Sequence, residues 1–313
     1  MSLLGLLPLF YRTRFKLGKL RNYLRPQRSW RILDVGSGDA PAPSADVLCD
    51  RFVGDDTERT APIRLDRPFV SGDVESLPFQ DHAFDFVFCS HLLEHTQHPA
   101  RAIAELVRVA RAGYVEVPSE YLEKAAKSTP THYWFVSREG GTLVFKPKPG
   151  GVLDEGLNRL FDERLLDRDP LYTAFMWARF YTLFNIGIHW QGQLAHRVEG
   201  GALIGAAGFT KSAEEADSAE RLGVLRDVIQ QARVASRRAA GWRGSLKRWI
   251  RHWYATGKSF ELGELLACPH CRGRLLSGHA GTRLTCSACR HGFPVVDGVP
   301  ILVPGAARPD PGE

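Results

Sequence analysis

The sequence lacks several features that would place it in a secreted or membrane-embedded class. Its first 31 residues contain eight Lys/Arg and no Asp/Glu, and the apolar stretch 1–10 precedes those basic residues. We therefore expect no cleaved signal peptide. The stretch 1–10 is too short to span a bilayer, and polar residues interrupt the aromatic run 171–190. With 44% hydrophobic and 24% charged residues, wholesale disorder is also excluded. We expect a folded, cytoplasmic protein.

Cysteine is scarce as well, with six residues in 313. Cys49 and Cys89 stand alone in apolar, strand-like runs, a pattern that does not suit a secreted disulfide framework. The other four form two Cys-x-x-Cys pairs separated by 14 residues: Cys268, Cys271, Cys286 and Cys289. Four thiolates at this spacing predict one structural zinc ion with no open coordination position. An iron tetrathiolate stays open, because thiolate softness does not choose between the two metals.

The net charge of +6 is unevenly distributed along the chain. Residues 1–31 carry +8, residues 32–220 carry −11, residues 221–260 carry +9, and residues 261–313 are neutral. The two basic segments, 1–31 and 221–260, are candidates for contact with RNA or with an anionic membrane surface at the inner face of a membrane. The alternative is that both pack against the acidic body of the same chain.

The pattern of apolar runs between residues 29 and 148 predicts alternating strands and helices. Five strand candidates cover 30–35, 45–50, 68–70, 84–89 and 113–117. Helical spacing predicts a helix over 98–113, and a turn at 137–140 predicts an antiparallel hairpin from 132–136 and 141–145. Together these elements predict an α/β fold with a seven-stranded, mostly parallel sheet that ends in the hairpin.

A glycine-rich turn, Asp34-Val-Gly-Ser-Gly38, follows the first strand, where glycine lets the backbone approach a ligand closely. Pro41 stands where a dinucleotide fingerprint needs its third glycine, which disfavours a pyrophosphate-binding turn. Asp50 ends the second strand and Asp73 follows the third. Because only eleven residues separate Gly38 from Asp50, we expect any helix after the turn to be short or absent.

In the segments 32–40, 47–50, 71–79 and 84–95, the chain resembles the class I S-adenosylmethionine-dependent methyltransferases. The resemblance covers about residues 29–148 and implies a Rossmann-like sheet with S-adenosylmethionine as cofactor. It implies that the methionine side of the cofactor is lined by the glycine turn, the ribose is held by Asp50, and the adenine is contacted after the third strand. The cofactor-binding residues it implies are Asp34, Gly36, Ser37, Gly38, Asp50, Asp73, Val74 and Ser90.

His91, Glu94 and His95 follow the fourth strand at i, i+3 and i+4, so a helix beginning there would present them together. We take His91 as the catalytic candidate, since the resemblance implies that it lies near the sulfonium together with Ser90. Under the alternative interpretation, Glu94 and His95 cap the helix or pair locally.

The segments 265–275 and 284–303 resemble a small zinc-ribbon family whose members bind and activate class I methyltransferases acting on RNA and on translation factors. The resemblance implies that the ribbon packs on its own catalytic domain. The sequence thus predicts five regions, which are a basic helical segment (1–28), an S-adenosylmethionine-binding domain (29–150), a mainly helical, aromatic acceptor side (151–260), the zinc ribbon (261–304) and a disordered tail (305–313).

These observations predict an S-adenosylmethionine-dependent methyltransferase. The aromatic run 171–190 and the apolar N-terminus favour a small molecule, a lipid-linked compound or a glycan as acceptor. The zinc ribbon and the basic segment 221–260 favour RNA or a protein of the translation apparatus. A third hypothesis is a cofactor-binding scaffold without turnover, which rests on the short stretch after Gly38.

Overall fold

The structure of the chain is a computed structural model, which describes residues 20–53, 61–125, 131–149, 156, 175–176, 178–200, 219–238, 242–278, 281–306 and 308–309. The chain divides into two compact units, each made of separate stretches. The first unit comprises Met1–Arg25, Ser90–Ala100 and Tyr114–Ile204, and the second comprises Pro26–Cys89, Arg101–Gly113 and Gly205–Glu313. Among the described residues, no helix combines the length and the apolar character needed to cross a membrane.

Short parallel strands form the centre of the second unit. They are β1 (Ile32–Val35), β2 (Val47–Asp50), β3 (Phe69–Gly72) and β4 (Phe84–Ser90), in the spatial order β3-β2-β1-β4. Leu33 lies opposite Val47 on one side and Val87 on the other. Nearly all of these residues are buried, as apolar parallel strands require. The α/β class with a mostly parallel, Rossmann-like sheet is confirmed.

The first long helix is shorter than the sequence predicts. Helix α1 (Pro99–Val109) buries Ala102, Ile103 and Leu106 on one face, and β5 (Ala110–Pro118) follows without a gap. The predicted helix end at Gly113 is therefore wrong by four residues. The aromatic and β-branched run from Tyr114 favours a strand, and the strand extends back to Ala110. β5 begins in the second unit and ends in the first.

The cysteine-rich segment belongs to the second unit and extends its sheet. After the short helix α6 (Leu262–Leu265), the chain forms an antiparallel array of β10 (Leu275–Ser277), β11 (Arg283–Cys286), β12 (His291–Val296) and β13 (Val299–Leu302). β13 pairs in parallel with β3, where Ile301 lies opposite Ser71 and Leu302 opposite Gly72. The ribbon and the parallel strands thus share one continuous sheet.

The predicted C-terminal tail, 305–313, is described only in part. Pro304–Ala306 form a 3-10 helix, and β14 (Arg308–Pro309) pairs with β12 through Gly292 and His291. The other tail residues, 307 and 310–313, lie outside the described residues.

Helices α4 (Ala219–Arg238) and α5 (Trp242–Ala255) carry the basic segment 221–260. Buried Ile229, Ile250 and Tyr254 anchor them in the second unit. The Tyr254 hydroxyl donates to the carbonyl of Pro26 at 2.9 Å, and Arg251 pairs with Asp66 at 2.6 Å. Helix α5 therefore contacts Pro26 and Asp66 within the second unit. The N-terminal segment 1–19 lies outside the described residues.

The first unit contains the predicted hairpin, but not at the end of the parallel sheet. β6 (Trp134–Glu139) and β7 (Thr142–Pro147) pair antiparallel around Gly140, whose φ is +58°, which confirms the hairpin. β9 (His196–Val198) pairs in parallel with β7 and completes a separate three-stranded sheet. The strand next to β5 is β8 (Asn185–Gln191). It occupies the edge position that the sequence assigns to the hairpin.

The region predicted as mainly helical, 151–260, contains strands as well. The end of its aromatic run forms the short helix α3 (Tyr181–Phe184) and then β8, in which Ile186, Ile188 and Trp190 are buried. Helix α2 (Glu120–Ala125) precedes the hairpin. Residues 171–174 and 177 of the aromatic run lie outside the described residues, and so do residues 201–218.

Candidate active site and zinc centre

The turn after β1 has the backbone geometry of a ligand cradle. Gly36 and Gly38 have φ angles of +71° and +48°, which L-residues rarely adopt. The amide of Gly36 donates to the carbonyl of Cys49 at 2.8 Å, and the amide of Gly38 donates to Asp50 Oδ2 at 3.0 Å. The Ser37 hydroxyl is buried and has no hydrogen-bond partner in the described part of the chain. A buried hydroxyl of this kind fits a site whose missing partner is a ligand.

Asp34 lies at the end of β1 and is 5% exposed. Its Oδ2 accepts from the amide of Ala42 at 2.7 Å, which fixes the chain after the turn. No helix forms between Gly38 and Asp46, as the prolines predict. Burial raises the pKa of Asp34 to about 7, although the Ala42 amide and the nearby Arg67 charge lower it. Burial disfavours the charged form of this carboxyl group, so a cation or hydrogen-bond donor of a ligand would stabilise it.

Replacing Asp34 with asparagine tests this description of the site. The folded-state pKa lies above the ordinary value of 3.8, so this group's contribution to stability is complete below pH 4. It is lost as the pH rises through about 7, a change on the order of 4 kcal/mol. Urea unfolding from pH 4 to 8 should show that Asp34→Asn lacks this decline and is the more stable protein at pH 8. Identical pH dependence of the two proteins would contradict the assigned pKa.

Hydrogen bonds and an ion pair within the protein fix the two acidic residues that are predicted to contact the ribose and the adenine. Asp50, 8% exposed, accepts from Gly38 and, through Oδ1, from the amide of Phe52 at 3.1 Å. Asp73 accepts from the amide of Glu75 at 2.9 Å and pairs with Arg51 at 2.8 Å. The structure thus places Asp34, the glycine turn, Asp50 and Asp73 at the carboxyl ends of β1, β2 and β3. Val74 is buried beside Asp73. Their roles towards the cofactor stay predictions.

Ser90 and His91 lie in the first unit with a partner that the sequence did not single out, Glu116. This buried residue of β5 lies 3.4 Å from Ser90 Oγ and, through the same Oε1, 3.4 Å from His91 Nε2. Its Oε2 accepts from the Tyr114 hydroxyl at 2.6 Å. The signal for Glu116 was available, because it is the one charged residue in the apolar run 113–117.

His91 does not share a helix with Glu94 and His95. Its φ is +54°, and the helical turn is a 3-10 helix over Leu93–His95. The ring is 41% exposed, with Nδ1 3.6 Å from Glu94 Oε1. Burial lowers the pKa of His91, but Glu116 and Glu94 stabilise the charged ring more strongly and raise this pKa to about 9. At neutral pH the ring is therefore a cation between two carboxylates, which does not favour the role of a general base.

The four cysteines converge as the spacing predicts. Cys268 Sγ lies 3.6 Å from Cys289 Sγ, Cys271 Sγ lies 3.4 Å from Cys286 Sγ, and all four sulfur atoms lie within 4.8 Å of one another. A zinc ion with Zn–S bonds of about 2.3 Å sets its sulfurs about 3.8 Å apart, so the cluster fits one tetrahedral ion. A Cβ at Gly273 would lie 2.9 Å from the Cys286 sulfur, so glycine is needed for the close approach.

Comparisons with known proteins agree with the two sites. Residues 33–115 match the family described as "Methyltransferase domain", and residues 259–298 match the family described as "Trm112p-like protein". A demethylmenaquinone methyltransferase of Renibacterium salmoninarum is 35% identical over 97 residues, 29% of this chain and 41% of its own length. The chain thus spans less than half of that relative.

Further similarity lies in a small protein and in a solved complex. A UPF0434 protein of Bordetella avium is 48% identical over 49 residues, 16% of this chain and 78% of its own length. In the complex between the Haloferax volcanii Trm112 methyltransferase activator and a protein described as a methyltransferase, one chain is 14% identical. The match covers 62% of this chain and 93% of that one, with a TM-score of 0.34.

The chain therefore carries a class I methyltransferase domain joined to a Trm112p-like zinc ribbon. Through the 49 residues shared with the Bordetella protein, it belongs to the family of the UPF0434 proteins. Both resemblances are confirmed, and with them the two cofactors that these domains take. They are S-adenosylmethionine for the methyltransferase domain and one structural zinc ion for the four cysteines.

Proposed function

We propose that the chain transfers a methyl group from S-adenosylmethionine to a small molecule, a lipid-linked compound or a glycan. The observation that carries the methyl transfer is the positive-φ turn after β1, with its buried Ser37 hydroxyl and the adjacent Asp34. The cofactor supplies an electrophilic methyl group. The task left to the chain is to bind, to orient and to exclude water.

Residues of the second unit divide the binding of the cofactor among them. Gly36 and Gly38 bring the backbone close to the methionine side, where the Asp34 carboxylate offers an acceptor for its ammonium group. Two backbone amides fix the Asp50 carboxylate, which would bind the ribose hydroxyls. Asp73 and Val74 take the adenine end. Ser90 remains a candidate for contact with the cofactor, and His91 remains the candidate for a catalytic role.

Two observations favour the small or lipid-linked acceptor. The similar Renibacterium enzyme is named for demethylmenaquinone, a lipophilic small molecule. In addition, the basic segment 221–260 has part of its charge engaged within the second unit. Arg251 pairs with Asp66, Lys258 pairs with Asp46, and Arg226 lies 3.5 Å from Asp297. Paired cations have less charge to offer to phosphate groups.

RNA or a protein of the translation apparatus is the second candidate acceptor. The match of residues 259–298 to the Trm112p-like family supports it, since the Haloferax protein of that kind is named a methyltransferase activator. Trp249 and Trp253 also support it. Their stacked rings have centroids 5.9 Å apart, and Trp249 is 60% exposed and Trp253 41% exposed. Exposed stacked indoles are a platform that nucleic-acid bases use.

Incubation with methyl-labelled S-adenosylmethionine and separated cell fractions tests the proposal. We expect the label in the lipid or small-molecule fraction, and little retention of total RNA by the protein between low and moderate salt. Label in RNA or in a translation protein, with binding that weakens steeply with salt, would favour the second candidate. Cofactor binding without label in any fraction would favour a scaffold without turnover.

A further inference from the structure

The first unit contains a second group of side chains that could hold a metal ion, apart from the four cysteines. Glu94 and His95 come from the 3-10 helix after β4, and His132 comes from the segment before β6. One ligand atom from each lies within 4.8 Å of the other two. The two imidazole rings are perpendicular, at an interplanar angle of 89°, and their centroids are 4.4 Å apart.

Glu94 is the unusual member of this group. The residue is fully buried, and neither carboxylate oxygen has a hydrogen-bond partner within the part of the chain that the structure describes. The nearest cation given by the geometry is His91, whose Nδ1 lies 3.6 Å from Oε1. A buried carboxylate without hydrogen bonds is costly unless a cation compensates it. His91 is shared with Glu116 and lies beyond hydrogen-bond distance of Oε1, so the oxygens of Glu94 keep the capacity to coordinate a further cation.

The two histidines are oriented through their other ring nitrogens. His132 Nδ1 lies 2.6 Å from Glu123 Oε1, and Glu123 is in turn paired with Lys148 at 2.6 Å. His95 Nδ1 lies 3.2 Å from the carbonyl of Thr131. A carboxylate or carbonyl behind each imidazole is the usual second shell of a metal-binding histidine, and it directs Nε2 towards the ion.

Backbone and indole hydrogen bonds hold the two contributing segments together. The amide of Tyr133 donates to the carbonyl of Glu94 at 2.8 Å, and Trp134 Nε1 donates to the carbonyl of Thr96 at 2.8 Å. Trp134 itself is buried. The ligands are thus set on a fixed frame rather than on independently moving loops, which is what a preorganised site needs.

We propose that Glu94, His95 and His132 bind one divalent first-row transition-metal ion, in addition to the zinc of the four cysteines. Two imidazoles and one carboxylate suit Mn²⁺, Fe²⁺, Co²⁺ or Zn²⁺, whereas Mg²⁺ and Ca²⁺ prefer oxygen ligands throughout. Three protein ligands leave coordination positions open for water or for an oxygen donor of another molecule. The site does not depend on the proposed methyl transfer, because metal binding is its own readout.

Titration with Mn²⁺ of the full-length protein that holds one zinc ion per chain, in the ribbon, tests this site. Electron paramagnetic resonance of the unbound ion should show one Mn²⁺ bound per chain. Titration with Co²⁺ should give weak ligand-field bands without the intense sulfur-to-metal absorption of a thiolate site. Since the ribbon keeps its zinc, these signals report the new site separately from the cysteines.

Substitutions identify the ligands. His132→Gln should lower the affinity for Mn²⁺ by more than 100-fold, and Glu123→Gln, which removes a second-shell partner, should lower it by about 10–100-fold. His98→Gln changes an exposed histidine of the same segment and should bind Mn²⁺ as the unmodified protein does. Glu94→Gln removes the carboxylate ligand. If this variant does not fold, the affinity of His132→Gln and the Mn²⁺ stoichiometry of the unmodified protein test the proposal.

Two results would overturn the proposal. One is that the protein with one zinc ion per chain binds neither Mn²⁺ nor Co²⁺ at millimolar concentration. The other is that His132→Gln binds either ion as tightly as His98→Gln. Either result would mean that Glu94 and the histidines form a charge cluster within the protein and not a metal site.

Discussion

Replacing Cys286 with serine should abolish zinc binding and unfold the second unit. Structural zinc contributes about 10–16 kcal/mol in zinc-finger peptides, which equals or exceeds the about 5–15 kcal/mol that stabilises a typical domain. Cys286 is fully buried in β11, and its sulfur faces Cys271 at 3.4 Å. Metal analysis of the purified variant and its thermal unfolding measure the effect. Ser287→Ala, at an exposed neighbouring position, is the control and should keep one zinc ion.

The unfolding should not stay within the ribbon, because the ribbon is tied to the parallel strands. β13 pairs with β3, and Arg272 bridges to Glu105 of α1 at 2.7 Å. Glu105 in turn accepts from the amide of Leu77 at 2.9 Å, next to the predicted adenine region. Loss of the ribbon would expose the edge of β3 and free these groups. A zinc-free variant with an unchanged thermal transition would contradict the structural role of the ion.

Replacing Gly36 with valine should remove most of the affinity for S-adenosylmethionine. The φ of +71° at this position costs a β-branched residue at least about 1–2 kcal/mol. The turn would relax into another conformation, break the hydrogen bond from the Gly36 amide to Cys49, and lose the close approach of its backbone to the ligand. We expect isothermal titration calorimetry to show an affinity reduced more than tenfold.

The control for this substitution is Gly140→Val. Gly140 has a φ of +58° in the turn between β6 and β7, and a Cβ there would meet nothing within 4 Å. The variant carries the same kind of backbone strain without a predicted cofactor contact, so it should lose stability but keep its affinity. Equal affinity of Gly36→Val and Gly140→Val would remove the turn after β1 from the cofactor site.

Local patterns in the sequence predicted the parallel strands and the hairpin. The runs that became β1 to β4 are short, apolar and bounded by Gly, Asp or Pro, so burial on both faces leaves them one favourable state. The turn at Gly140 fixes the hairpin for the same local reason. The end of α1 was less predictable, because Ala110 to Gly113 suit either a helix or a strand and the adjoining strand decides.

Pairings between distant residues were not predictable from such patterns. Nothing in the run 299–302 indicates that it pairs with β3, about 230 positions earlier, since a parallel partner leaves no turn signal between the strands. For the same reason, the edge position beside β5 was assigned to the hairpin and not to β8. Long-range contacts of this kind depend on the whole fold.

The candidate sites show the same division between local and distant signals. The glycine turn and the paired cysteines are local motifs, and the sequence located them. Glu116 and His132 were missed as partners of His91 and Glu94, because they reach those residues only through the folding of β5 and the docking of the hairpin. The spacing of His91, Glu94 and His95 suggested a shared helix, but His91 lies before the helical turn with a positive φ.

Titration of the unmodified, zinc-loaded protein with S-adenosylmethionine tests the central claim most directly. Calorimetry should show saturable binding to one site per chain, and the same site should be weakened in Gly36→Val. The absence of any binding at millimolar S-adenosylmethionine would contradict the assignment of the glycine turn, Asp34 and Asp50 to a cofactor site, and with it the proposed methyl transfer.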